Sequence, residues 1–296
     1  LKQNTDFGVF EIGMDKKGEI KSLSKIVKPE IGVITNISEA HFKNFNSLKD
    51  IAKAKAEIIE NISSDGKIVL NKDDKFFSFL SQIAKRNKIS IVSFSIKKKA
   101  DIFLVSAKKI KDYYRLKVSV YNKLFYFDIK YNVNSFISNL LACISVLISL
   151  NLDLNKLRKK FINFSIPSGR GNIQVIKKFK KIFKLIDESY NANPLSMASA
   201  IDNMKHYKQK GNSKKIAFLG DMLELGEKSQ KLHKELSIVI NKSQIDKIYV
   251  LGTYIKKTFN FLSKNKKGKV FNSMHEAYNY FKKNIHNNDL LMIKGS

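Results

Sequence analysis

The stretch IGVITNISEAHFKNFNSLKDIAKAKAEIIE, residues 31–60, decides how the rest of the chain is read. Ile31 to Thr35 is an apolar run of strand length that opens into a polar loop, followed by a helix beginning near Ser47. Ser47 with Asp50 three residues on is a helix-start signal, so the loop between strand and helix has a fixed length. A strand, a loop and a helix in that order are the building unit of α/β proteins, which place their chemistry where strands end. His41 stands in the loop, and Lys55 stands in the helix among Ile51, Ala52, Ala54, Ala56, Ile58 and Ile59. A lysine so placed is either a surface residue laying its stem along apolar neighbours or a desolvated amine.

Upstream, Asp6 to Ile12 reads as a short central strand with the carboxylate of Glu11 at its mouth, where burial is costly unless a cation meets it. Turns at Gly13 and Gly18 lead into a short helix that ends near Val27. Downstream come strands at Lys67 to Leu70 and Ser90 to Phe94, with a helix between them from Lys75 to Lys85. The alternation predicts an α/β fold with a mostly parallel sheet covered by helices. Ile102 to Val105, Tyr114 to Val120 and Leu124 to Ile129 then alternate with period two, predicting antiparallel strands at the sheet edge or in a small side sheet. Helices are expected over Ser135 to Leu150 and Asp153 to Asn163, and IPSGRGN, Ile166 to Asn172, is the best linker candidate.

After the linker the alternation resumes. Strands are predicted at Ile182 to Ile186, Lys215 to Leu219, Lys247 to Leu251, near Val270 and at Leu290 to Ile293. Helices fill the gaps at Pro194 to Tyr207, Gly226 to Asn241, Tyr254 to Leu262 and Met274 to Asn284, and Pro194 suits a first helical turn. Two domains are expected, 1–166 and 167–296, the second Rossmann-like and ending just after its last strand without a closing helix.

At 296 residues the chain can bury two cores, and 43% hydrophobic with 27% charged residues excludes a disordered chain. The formal charge of +29 raises nucleic-acid binding as an alternative function. Against it, the excess is lysine spread along the whole chain, and Arg86, Arg115, Arg158 and Arg170 are the only arginines, whereas base readers depend on arginine forks. Neither nucleic acid nor membrane insertion is therefore expected: the longest apolar run, Phe136 to Leu150, is too short to span a bilayer and reads as a buried helix. The lone Cys143 makes no intrachain disulfide, which fits a reducing, cytoplasmic location.

Beyond residues 31–60, three segments follow predicted strands or lie in the linker with an unusual density of polar groups. These are SGRGN at residues 168–172, DESYNANP at 187–194 and GDMLELGEKSQKLH at 220–233. From local chemistry alone, Asn193 is as well explained as a helix cap. Taken in order with FEIGMDKKGEI and the terminal IKGS, they resemble the Mur ligases, the ATP-dependent amide ligases that build the peptide stem of peptidoglycan. Within that family the DESYNANP and GDMLELG segments resemble the branch that adds D-alanyl-D-alanine to UDP-N-acetylmuramoyl-tripeptide. A sibling stem ligase and a folylpolyglutamate synthase are the alternatives inside the enzyme class.

The resemblance implies a central ATPase domain followed by the C-terminal Rossmann-like domain, and a monomeric enzyme. Glu11, His41 and Lys55 would be catalytic and hold Mg2+, with Lys55 carbamylated. Asn139 would contact adenine, Arg170 the phosphates and Glu188 the ribose of ATP, while Tyr190, Asn191, Asn193 and Lys294 would line the cleft for the peptide substrates. Two departures are visible. Ser135 stands where the family often has a histidine, and the chain carries no glycine-rich phosphate loop ending in Gly-Lys-Thr/Ser. The expectation is a chain truncated at its N-terminal side and inactive in ligation by itself.

Overall fold

The computed structural model describes residues 4–39 and 42–296, and for residue 42 the backbone only. The backbone divides into two compact units, Leu1–Ile37 with Asn44–Phe164, and Ser38–Lys43 with Ser165–Ser296. Each is α/β.

The first unit is built on a six-stranded sheet. Its elements in chain order are α1 (Glu19–Val27), β1 (Ile31–Ile34), α2 (Leu48–Ala56), β2 (Lys67–Asn71), α3 (Phe77–Arg86), β3 (Ser90–Ser95), β4 (Ile102–Ile110), β5 (Tyr113–Val120), β6 (Lys123–Ile129), α4 (Asn134–Ser149) and α5 (Leu154–Leu157). Strands β1 to β4 run parallel, and β5 and β6 continue the same sheet antiparallel, in the order β1-β2-β3-β4-β5-β6. The antiparallel segments thus take the edge position rather than forming a separate sheet. They do so because β4 extends well past its two-residue pairing with β3 and hands its free length to β5.

Two layers of apolar side chains bury the sheet. Ile51, Ala52, Ala54 and Ile59 pack with Ile34, Ile68, Leu70 and Leu80 on one side, while Ile137, Leu141 and Ile144 of α4 pack with Phe94, Leu116 and Phe127 on the other. The apolar run over α4 is therefore buried along one stripe only, and Cys143 faces outward. The segment from Asp6 to Ile12, expected as a central strand, forms none. Phe7, Val9 and Phe10 are exposed, and the ladder begins at β1, whose only pairing among the described residues is with β2. The helix expected to Asn163 also shortens, with α5 passing into a 3-10 turn at Arg158–Asn163.

The second unit carries β7 (Asn172–Lys178), β8 (Lys181–Glu188), α6 (Pro194–Asn203), β9 (Lys215–Leu219), α7 (Ser229–Lys242), β10 (Lys247–Leu251), α8 (Ile255–Asn260), β11 (Lys267–Phe271), α9 (Met274–Asn284) and β12 (Leu290–Lys294). Its sheet runs β11-β10-β9-β12-β8-β7, parallel except for β7. The last strand inserts between β8 and β9, so Lys294 comes into register with Glu188 on one side and Leu219 on the other. An aromatic cluster of Phe218, Tyr249, Phe271, Tyr280 and Phe281 fills one face. β7 was not expected. It hairpins onto β8 through Phe179 and Lys180, both with positive φ, and starts at the last residue of the predicted linker.

Candidate active site

In the first unit the strand end after β1 meets the α2 helix. Ser47 caps α2 through Asp50 N–H at 3.2 Å, which sets the helix so that Lys55 points back toward β1. The Lys55 amine donates to the carbonyl of Asn36 at 3.0 Å. Burial holds its pKa below the ordinary lysine value, and Asp74 opposes that shift. Asp74 itself is anchored to the loop, accepting from Ile37 N–H at 2.7 Å. Lys55 is thus a desolvated amine rather than a purely surface one. Asn36 and Asp74 were not singled out from the sequence; the register of a loop carbonyl with a helix residue nineteen positions on has no sequence signal.

Glu11 is exposed on an irregular segment, and Asn139 is exposed on α4. His41 lies outside the described residues. Among the described residues no group of three or more His, Cys, Asp or Glu side chains is gathered as a metal site. The expected Mg2+ set of Glu11, His41 and Lys55 is not a group of that kind, since it counts a modified lysine and a histidine outside the described residues.

In the second unit the polar segments converge on the C-terminal edge of the sheet. Asp187 organises them: its Oδ2 accepts from Gly169 N–H at 3.1 Å and its Oδ1 from the Ser189 hydroxyl at 2.6 Å. Its carbonyl accepts from Gly171 N–H at 2.7 Å, and Tyr190 N–H returns to Gly169 O at 3.1 Å. The glycines of SGRGN are required by this crossing. Gly169 and Gly171 have φ of +76° and +96°, and a Cβ would stand 3.0 Å from Tyr190 Cβ and 2.8 Å from Glu188 Oε1 respectively. Arg170, held between them, lays its guanidinium over the Tyr190 ring at 4.4 Å and makes no side-chain hydrogen bond among the described residues. Its donors remain available to an anion.

Lys294 is 2% exposed. Its ammonium donates to Asn191 O at 2.9 Å and stands 3.5 Å from Glu188 Oε2, so it is turned inward on the segment rather than outward into a cleft. Burial pushes the Lys294 amine down and the Glu188 carboxyl up, each resisted by the other's charge. Asn193 accepts from Ser196 N–H at 2.9 Å in a reciprocal capping box and starts α6. Its side chain is occupied as a cap, while Tyr190 and Asn191 are exposed. Ser296 ties the edge together, accepting from Ala192 N–H at 2.9 Å and donating to Asn191 Oδ1 at 3.1 Å.

The GDMLELG segment adds a buried histidine. His233 is fully buried on α7; its Nε2 accepts from Met222 N–H at 3.0 Å and its Nδ1 lies 2.7 Å from Ser229 O, so Nδ1 carries the proton. Asp221 Oδ1 stands 4.0 Å away, and the carboxylate caps the next loop, its Oδ2 accepting from Thr253 N–H and its Oδ1 from Ile255 N–H. Burial lowers the His233 pKa from 6.5, more than Asp221 raises it. The unfolded chain therefore takes up this proton more readily, and stability should be full above about pH 6.5 and decline as pH falls through the folded value. A urea-unfolding series between pH 7.5 and 5 should show that decline, and His233→Gln should flatten it.

Residues 1–147 match the Mur ligase middle domain, and residues 173–296 match the Mur ligase glutamate ligase domain. The chain belongs to the Mur ligase family. It is 32% identical over 297 residues to the UDP-N-acetylmuramoyl-tripeptide--D-alanyl-D-alanine ligase of Rickettsia prowazekii, covering 100% of this chain and 65% of that protein. The fold is shared with a crystal structure of MurF from Acinetobacter baumannii, at TM-score 0.87 and 24% identity over 100% of this chain and 63% of that one. It is also shared with MurF of Thermotoga maritima in complex with ADP, at TM-score 0.79 and 23% identity over 97% and 63%. The chain thus spans just under two thirds of each of these three proteins. Among its described residues, no helix is long and apolar enough to cross a membrane.

Proposed function

We propose that this chain forms the central and C-terminal parts of an ATP-dependent ligase that joins D-alanyl-D-alanine to UDP-N-acetylmuramoyl-tripeptide in peptidoglycan precursor synthesis. The observation that carries the reading is the whole-chain match to a relative of that name at 32% identity. In the proposed reaction a carboxylate oxygen of the tripeptide attacks the γ-phosphorus of ATP and ADP leaves. The amine of D-alanyl-D-alanine then attacks the acyl carbon, loses a proton and expels phosphate.

The side chains suit these steps. Arg170, stacked and with unused donors, would meet phosphate oxygens, and Asn139 would meet the adenine. Glu188 would accept from the ribose, while Tyr190 and Asn191 would face the peptide substrates, with Asn193 setting the helix behind them and Lys294 acting through Glu188 and Asn191. Lys55 would act as a carbamate. With Glu11 and His41 it would hold magnesium, which neutralises phosphate charge when bound. The boundary between the parts is proposed near residue 166.

The test is ADP release by the complete protein offered, in separate assays, UDP-N-acetylmuramoyl-tripeptide, the stem one residue shorter, or a folate. Release that depends on D-alanyl-D-alanine supports the reading; release that depends instead on a diamino acid or on glutamate replaces it with a sibling ligase or a folylpolyglutamate synthase.

A further inference from the structure

The second sheet has an opposite edge, where β9 and β10 begin. There a cleft of about 720 Å³ is lined by Lys214, Lys215, Gln244, Asp246, Lys247 and Lys266 among others. That volume lies within the range of small-molecule sites. Lys215 is 6% exposed, and its ammonium reaches only the Gln244 amide oxygen at a long 3.4 Å; no carboxylate pairs with it among the described residues. Asp246 acts on this ammonium only from beyond pairing distance, and a buried ammonium that no carboxylate contacts is costly, so the cleft favours an anion. Burial keeps the Lys215 amine below the ordinary lysine value, and Asp246 only partly opposes this.

The surroundings add positive charge. Asp246 is the one acid lining the cleft, and its Oδ2 is taken by Lys215 N–H at 2.7 Å. The end of α7 would by itself favour a cation here, but Lys266 already covers the carbonyls of Ser243 and Ile245 at 2.9 and 2.8 Å. Lys214 is exposed on the rim. A five-residue strand of roughly 16 Å separates this edge from the one bearing Glu188, Arg170 and Lys294, so the cleft is no part of the candidate active site.

We propose that this cleft is a binding site for a small oligophosphate-bearing anion, with Lys215 as its buried contact and Lys214, Lys247 and Lys266 around it. The lysines are scattered in sequence but meet at one sheet edge, which distinguishes the cleft from the solvated lysines elsewhere. Calorimetric titration of the chain with inorganic tripolyphosphate, without magnesium and at physiological salt, tests it. One-site binding is expected, weakened about tenfold by Lys215→Met and again by the exposed variant Lys214→Glu, which leaves the fold intact by circular dichroism. Absence of binding overturns the proposal. So does binding that both variants leave unchanged and Arg170→Ala abolishes, because the anion then sits at the other edge. Tighter, steeply salt-dependent binding of a single-stranded oligonucleotide than of tripolyphosphate also overturns it in favour of a nucleic-acid surface.

Discussion

Lys55→Ala in the complete protein is expected to lower ATP-dependent ligation by about three orders of magnitude, the scale of losing a charge-stabilising group in a phosphoryl or acyl transfer site. The physical case begins with a competition at one nitrogen. Asp74 favours the ammonium and burial favours the free amine, and burial is the larger effect. Carbon dioxide reacts only with the free amine: the nitrogen bonds to carbon, and a proton leaves to solvent. The product exchanges a cation for an anionic oxygen, the kind of ligand a hard cation takes in preference to nitrogen. The readout need not be turnover. Protein equilibrated with 13C-bicarbonate should give a carbamate carbon resonance that is absent in Lys55→Ala and fades as pH falls and the amine protonates. A wild-type protein without that resonance, or a Lys55→Ala protein with near-normal turnover, removes the carbamate from the proposal.

Much of this arrangement was legible in the sequence, and the illegible parts share physical causes. The α2 helix was readable because Ser47 and Asp50 form a local cap and the apolar residues recur at helical spacing. The parallel strands were readable because Ile68, Val69 and Leu70, or Ile248 and Val250, are buried on both faces and so form continuous apolar runs. β7 escaped because it is an edge strand with Gln174, Val175 and Lys177 exposed, so its pattern carries little burial signal, and the tandem lysines that follow resemble a loop. Asp6 to Ile12 misled in the other direction: its composition is that of a strand, but a strand needs a partner's hydrogen bonds, and none pairs with it among the described residues.

The site divides in the same way. DESYNANP and SGRGN were conspicuous as polar clusters, yet sequence could not show that Asp187 fastens one to the other, since Ser168 and Asp187 are nineteen positions apart with a hairpin turn between them. Asn193 met the ordinary fate of an asparagine before a helix, as a cap. Lys294 was found as a residue but not for its direction. A lysine at the end of an apolar strand looks outward in sequence, and only the insertion of β12 between β8 and β9 turns it under the Asn191 segment.

That direction gives the second large effect. Lys294→Met should destabilise the fold by about 3 kcal/mol at neutral pH, because it leaves the Glu188 carboxylate without its cation and Asn191 O without its donor. The value sits at the low end for a broken buried pair because the Glu188 side chain keeps 21% of its surface in water. The pair itself is not a source of stability. Glu188 is raised, so its contribution is full below the ordinary value of 4.5 and is lost as pH rises through the folded value; Lys294 is lowered, so its contribution is full above 10.5 and is lost as pH falls through the folded value. Between those windows both groups are charged at a desolvation cost that their mutual attraction does not fully repay. Adding Glu188→Gln to Lys294→Met should therefore recover about 2 kcal/mol of the loss and leave the Asn191 and Glu188 carbonyls without the lysine's donors. Urea unfolding of the four proteins of this cycle measures the coupling. Losses that simply add, with no recovery in the double variant, would show that Lys294 supports the segment through those carbonyls alone and that its charge plays no part.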